Sequence, residues 1–415
     1  LDRKVLRNAK RFIYVTVSSH IMKDFTQFLT KFDTSNPIPF LYEEGLTHSQ
    51  VKEFVIVLFK PHFKNHDFFD KNPIDLYLDT WVNFFSFRTK EQFKFTEQII
   101  DFYNQALSID EVYTLNTTIE YSNDFAEGLS KFWTFLNSEK KQSEFFEIED
   151  YHNYILQSIG LVIEGASKPL LKELYQLNKF ISGNPVTKSI VSGYDLGVLV
   201  DYLEQTPFKD LFRPKPLNLK VSQLRNISYH HNANLQKDGT IKCSYGKGAN
   251  KTEFDTTLPD LESTLQNVLY YYNAIKLARE IFLWDNYDKI KPLRAHLTEN
   301  PKLRQEGMAA AIYIAISREQ FKIVSLKTDD NNAFLEVQDT LSGNEKARAI
   351  HSSQFLYNLW WYTDKEKLNV KYIDKEGKVR LISSTTSDVC EQIGKGEKEL
   401  SFMAEKVIFE NVDLE

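Results

Sequence analysis

The chain has 415 residues, 42% hydrophobic and 14% aromatic, with 31 Phe and 21 Tyr. That is apolar surface enough for two to three folded domains, and it excludes a disordered polypeptide. A net charge of −6 argues against nucleic-acid binding over the whole surface. Cys243 and Cys390, the two cysteines, stand too far apart for a disulfide framework, form no zinc-ligand spacing, and suggest a reducing compartment.

The sequence opens LDRKVLRNAKR, charged and without the apolar core of a signal peptide, and no initiator Met is present. The longest apolar runs, Phe54 to Phe59 and Met308 to Ile316, fall well short of the roughly 20 residues that cross a bilayer. A cytoplasmic protein without a membrane association is expected.

In chain order, residues 1–145 read as a mostly helical N-terminal domain. RFIYVTVSSH (11–20) is ambiguous between strand and helix. DFTQFLTKF, SQVKEFVIVLFKPHF, PIDLYLDTWVNFFSF, KEQFKFTEQIIDFYNQAL and SNDFAEGLSKFWTFLNSEKK then carry apolar residues at helical spacing. Ser108-Ile-Asp-Glu and Ser122-Asn-Asp are cap-like starts. The polar stretch 138–150 marks a boundary. From Tyr151 to Asp288 a helical bundle is predicted. Its long first helix bends at Gly165 and Pro169 and ends at Gly183-Asn-Pro185, and further helices cover Ser192 to Glu204 and Val221 to His231. A β-hairpin turning at Asp238-Gly239 follows, and then a last helix from Leu258 to Trp284 with an apolar stripe through Leu261, Leu265, Val268, Leu269, Tyr272 and Ile275. Residues 292–415 read as a mixed α+β domain: strands at 321–327 and 333–338, a helix at 351–362, and a hairpin over 369–384 turning at Glu376-Gly377. The fold class is therefore mainly α and multidomain.

Charge is distributed unevenly. From Gln205 to Lys251 the local balance is +7, leaving −13 on the remainder. A basic segment on an acidic chain points to a focused polyanion site, here RNA, with Lys220, Lys242 and Lys247 as contacts; the plain alternative is a solvated loop and ribbon. Within it lies LRNISYHHNA (224–233), which joins Arg225 and Asn226 to the tandem His230-His231.

These residue types suit RNA cleavage without a metal. The 2′-hydroxyl of RNA is its own nucleophile, so a catalyst needs to remove that proton, steady the charged phosphorane and protonate the leaving 5′-oxygen. Histidine, with an ordinary pKa of about 6.5, serves as acid or base, and the guanidinium fork matches phosphate oxygens. No cofactor and no metal is expected. Arg225 and His230 lie about 140° apart around an ideal helix, whereas Asn226 and His230 share a face. Convergence on one phosphate then calls for a helix ending near His231, or for two copies meeting across a two-fold axis, which also brings two imidazoles to one site.

Arg225-Asn226, three residues and His230 resemble the signature of HEPN-superfamily ribonucleases: an arginine, a polar residue, and a histidine a few positions on. The resemblance covers about Tyr151 to Asp288 and implies a HEPN-like helical bundle, here with a β-hairpin insertion, that pairs as a homodimer or higher homo-oligomer. It implies an endoribonuclease with Arg225 and His230 as the catalytic pair and Asn226 orienting one of them. His231 fits the looser spacing and is taken as an RNA contact. Such proteins serve as toxins and in abortive-infection defence against phage, which makes a phage-derived trigger or a regulatory partner an expectation. The other reading is a non-catalytic scaffold or sensor that binds nucleic acid or a nucleotide.

Three further features are weaker. His62 and His66, four apart in KPHFKNHDFF, have a spacing that metal ligands use, but Pro61 and Asn65 favour a helix end or turn. Gly246-Lys247-Gly248 is too short for a phosphate loop and reads as a ribbon tip. Trp360-Trp361, at helical spacing with Phe355 and Leu359, reads as core.

Overall fold

A computed structural model describes residues 23–24, 37–72, 74–85, 90–138, 142–230, 233–246, 248–294, 304–341, 343–399 and 401–411. His231, Lys247, the segment RFIYVTVSSH and most of DFTQFLTKF lie outside the described residues.

In chain order, β1 is Lys23–Asp24, followed by α1 (Pro37–Glu43), α2 (His48–Phe59), α3 (Phe68–Lys71) and α4 (Leu78–Phe85). Next come α5 (Lys90–Ile109), α6 (Glu111–Glu120), α7 (Ser122–Ser138) and α8 (Ile148–Gly160). A π-helical segment over Leu161–Ser167 leads without a break into α9 (Lys168–Ile181). After it stand α10 (Lys188–Ser192), α11 (Leu196–Leu203), α12 (Val221–Tyr229), β2 (Ala233–Leu235), β3 (Ile241–Tyr245), β4 (Thr252–Thr256), α13 (Leu258–Asp285) and α14 (Tyr287–Arg294). The remainder is α15 (Gln305–Arg318), β5 (Phe321–Thr328), β6 (Asn332–Asp339), α16 (Glu345–Ser352), α17 (Phe355–Thr363), β7 (Lys367–Ile373), β8 (Val379–Thr386), α18 (Ser387–Gly394), α19 (Ser401–Lys406) and β9 (Ile408–Asn411). The described chain is mainly helical, with two sheets.

Three consecutive domains, 1–145, 151–288 and 292–415, were expected; contacts instead gather the chain into two units, Phe87–Leu297 and a discontinuous one of Leu1–Ser86 with Thr298–Glu415. The reason lies in where the apolar faces go. Helices α5 and α7 bury Ile99, Tyr103, Ala106 and Phe135 against α13 and the π-helical segment, so they belong to the helical unit. The shorter helices α1 and α4 pack instead on α15, burying Ile38 and Trp81, and the Tyr42 hydroxyl donates to the Arg318 carbonyl at 2.6 Å.

In the discontinuous unit the sheet order is β1-β5-β6-β7-β8-β9. The β6–β7 pair is parallel, bridged by α16 and α17, and the other pairs are antiparallel. Both hairpins read from the sequence are present; Gly377, at φ +86°, makes the β7–β8 turn, where a side chain would be strained. Of the tryptophan pair, Trp360 is core at 5% exposed, and Trp361 is half-buried. The helix expected over 351–362 is two helices, parted at Ser353-Gln354.

In the helical unit, α13 is the central rod, starting from a Thr257 cap and burying Leu261, Leu265, Val268, Tyr272 and Ile275. Asp110 caps α6 through the Tyr113 amide, as the Ser-Ile-Asp-Glu stretch suggests. The ribbon is larger than the expected hairpin: β2 and β3 turn at Gly239 (φ +85°), and β4 adds a third antiparallel strand.

Beneath the surface of this unit five helices meet at one buried charge pair. Glu173 of α9 accepts from Arg279 Nε of α13 at 2.7 Å and from the Tyr103 hydroxyl of α5 at 2.9 Å. An Arg279 terminal nitrogen donates to the Thr118 carbonyl of α6 at 2.6 Å, and the guanidinium lies 4.7 Å from the Phe125 ring centre.

Candidate functional site

Helix α12 ends where the site begins. Tyr229 is its last residue, and His230, at φ −99° and ψ 9°, caps it, its amide donating to the Asn226 carbonyl at 3.1 Å. The helix therefore stops two residues earlier than the expected end at His231, and the ideal angular separation of Arg225 and His230 no longer binds them.

Arg225 is half-buried and held on two sides. Its Nε donates to Glu164 Oε2 at 2.9 Å, and a terminal nitrogen donates to Asn226 Oδ1 at 3.1 Å. Its guanidinium carbon sits 5.8 Å from the Tyr229 ring centre. Glu164 projects from the π-helical segment, a backbone form that recurs at functional sites, and also accepts from Lys168 Nζ at 2.5 Å. Partial burial pushes the Glu164 carboxyl up, but the hydrogen bonds and charges of Lys168 and Arg225 outweigh it and hold its pKa below the usual carboxylate value. Close approach of α8 to α12 depends on Gly160, where a β-carbon would lie 3.0 Å from Ser228 Cβ and 3.1 Å from the Tyr229 ring.

His230 is exposed and its ring makes no hydrogen bond among the described residues. Thus the structure brings Arg225 and Asn226 into direct contact and places His230 exposed at the same helix end. Sequence reasoning missed Glu164, which lies 61 positions away from Arg225. Its one local signal is the i,i+4 pairing of Glu164 with Lys168 in a helix that also carries Gly165.

Several cations of the basic segment carry ion pairs. Lys220 is bound by Asp201 and Glu204, Arg213 by Glu204, and Lys242 and Lys251 by Glu253. Glu204 and Glu253 stand just outside the 205–251 window, so the +7 balance counted the cations and left out their partners. Lys220 and Lys242, expected to touch RNA, are engaged in these pairs. Gly246 and Gly248 both have positive φ, +86° and +57°, as a tight ribbon tip demands. His62 ends a 3-10 turn beside the Phe84 ring, 5.2 Å away, His66 is exposed in the following turn, and among the described residues no group of His, Cys, Asp and Glu is arranged to hold a metal ion.

A second titratable group lies on the same helix as this site. His152 of α8 is 1% exposed, and among the described residues neither ring nitrogen meets a partner in hydrogen-bond geometry. Burial lowers its pKa, the Glu149 charge and the Ile148 carbonyl offsetting this only in part. A depressed histidine pKa favours the neutral ring in the folded state. The stability it permits is complete above the unfolded value of about 6.5 and declines as pH falls through and below it, by at most about 1.4 kcal/mol per pH unit for one proton. Unfolding midpoints measured from pH 7.5 to 5 are expected to decline less steeply for His152→Leu than for the natural chain; parallel profiles would show that His152 is not the group taking up the proton.

Comparison with known proteins brings no match: no family model, no curated protein and no solved structure resembles the chain. Among the described residues no helix is long and apolar enough to cross a membrane.

Proposed function

We propose that the chain is a metal-independent endoribonuclease of the HEPN type, with Arg225, Asn226 and His230 as its working residues. The observation that supports this reading most is the setting of Arg225: Glu164 fixes Nε and Asn226 fixes one terminal nitrogen, beside an exposed histidine whose ring makes no hydrogen bond among the described residues. An arginine oriented in this way keeps N–H groups for a phosphate, since a guanidinium carries five donors.

In the proposed reaction an imidazole takes the 2′-hydroxyl proton, and that oxygen attacks the adjacent phosphorus. Arg225 balances the charge gathering on the phosphoryl oxygens, and the bond to the 5′-oxygen breaks as a second imidazole protonates it. The products are a 2′,3′-cyclic phosphate and a free 5′-hydroxyl. A homodimer meeting at α12 supplies His230 twice, one ring for each proton transfer. Service as a toxin or in abortive infection belongs to the same proposal, with a phage component or partner as trigger.

The test is direct. Purified protein incubated with end-labelled RNA in EDTA is expected to give fragments ending in a cyclic phosphate. The Glu164 ion pair, which satisfies part of Arg225 within the chain, also favours a second reading, a scaffold that binds nucleic acid or a nucleotide without cutting it. RNA retained on the protein with no fragments, in EDTA and in magnesium alike, selects that reading.

A further inference from the structure

The helix that carries Glu164 also floors an open cleft of about 520 Å³, within the size range of small-ligand sites. Asp150, Asn153, Tyr154, Gln157 and Leu161 line it from α8 and the first π-helical residue, and Phe145 lines it from the preceding loop. These α8 positions recur at three- and four-residue intervals and so form one stripe along the helix. From Asn153 to Leu161 the stripe runs about 12 Å.

Two properties of the lining indicate its ligand. The side chains of Asp150, Asn153 and Gln157 make no hydrogen bond among the described residues, so one carboxylate and two amides offer acceptors and donors together. The Phe145 and Tyr154 rings stand beside them, with centres 5.4 Å apart, as flat apolar surfaces. Amides and a carboxylate next to aromatic faces are the means by which unpaired bases are read, by edge hydrogen bonds and stacking. Charge then sets the direction. Glu144, Glu147, Glu149 and Asp150 are exposed at the α8 start and repel phosphate. A nucleotide would therefore put its base, not its phosphate, at this acidic end.

We propose that this cleft binds an unpaired nucleobase bearing an exocyclic amino group, which donates to Asp150 while Asn153 and Gln157 meet the ring edge and Tyr154 and Phe145 supply the stacking surface. The proposal rests on the ribonuclease reading for the role of the base, which would flank the cut phosphate, but its test does not. Adenosine, guanosine, cytidine and uridine are titrated singly into the full chain and followed by ligand-observed NMR. Nucleosides have no phosphodiester and make no demand on Arg225. Expected are saturable binding of at least one amino-bearing nucleoside, weaker binding of uridine, and a loss of at least tenfold in Asn153→Ala/Gln157→Ala with the thermal midpoint unchanged. Arg225→Ala should bind nucleosides like the natural chain. The proposal is overturned by an absence of nucleoside binding, by binding that the double variant leaves intact, or by displacement with spermidine of a ligand set that ignores the base, which would mark an amine site. Nucleoside binding without RNA cleavage defeats the ribonuclease reading alone.

Discussion

Arg225→Ala and His230→Ala are each expected to lower RNA cleavage by about 10²–10⁴-fold, the range for removing a positioned acid, base or charge-stabilising group. Folding should survive both. The Arg225–Glu164 pair keeps about a quarter of each side chain exposed, 27% and 26%, and pairs in such settings contribute roughly 0–1 kcal/mol; His230 is exposed. Unfolding midpoints near that of the natural chain, with cleavage gone, therefore assign the two residues to chemistry. Arg225→Lys should recover only part of the rate, because an ammonium keeps the charge but not the planar fork. Glu164→Gln tests orientation: it acts through Arg225, so its loss should be smaller than that of Arg225→Ala and should appear in the turnover rate while RNA binding holds. Growth toxicity on expression should follow the same order among the variants. Full cleavage by the Arg225→Ala/His230→Ala double variant would sink the assignment.

What the sequence disclosed and what it hid divide along physical lines. Turns set by local chemistry were legible: Asp238-Gly239 and Glu376-Gly377 sit where positive φ is needed, at +85° and +86° for the glycines. The long apolar stripe of α13 was legible for the same reason, since periodicity is a property of the segment itself. Partnership was not. The face of α5 carrying Tyr103 and Ala106 shows that something covers it, but no residue in it says that the cover is α13 rather than a neighbour in the first 85 positions. β4 escaped because Thr252–Thr256 alternates over too few residues to stand out. In the candidate site, the order Arg225-Asn226-His230 offered the residue types but left open which of Arg225 and His230 Asn226 would touch, while Glu164 and the acids that bind Lys220 and Lys242 lie elsewhere in the chain, beyond the reach of any window of charge.

Arg279→Met is expected to cost the helical unit about 3–5 kcal/mol, the range for leaving a buried charge without its partner. Arg279 and Glu173 are 1% and 0% exposed, so water cannot replace the lost contact. Burial opposes the charge on Arg279, but the Glu173 carboxylate beside it raises the pKa above that of a free arginine, and the guanidinium stays protonated. Without it, Glu173 retains the Tyr103 hydroxyl alone of the two donors described above, and the Thr118 carbonyl loses its donor as well. Replacing both charges with apolar groups of similar size, as in Arg279→Met/Glu173→Leu, should restore much of the loss, because the carboxylate left behind is what costs most. Denaturant midpoints for the single and double variants measure this coupling directly; a single-variant loss under about 1 kcal/mol would show that the pair is solvated or dispensable. The pair also bears on the candidate site. Glu173 lies on α9, which continues the π-helical segment holding Glu164, so a bundle loosened at Arg279 should release the orientation of Arg225 and lower cleavage even at temperatures where the chain stays folded. Cleavage in Arg279→Met measured well below its midpoint, and found equal to that of the natural chain, would separate the buried pair from the site and leave it a matter of stability alone.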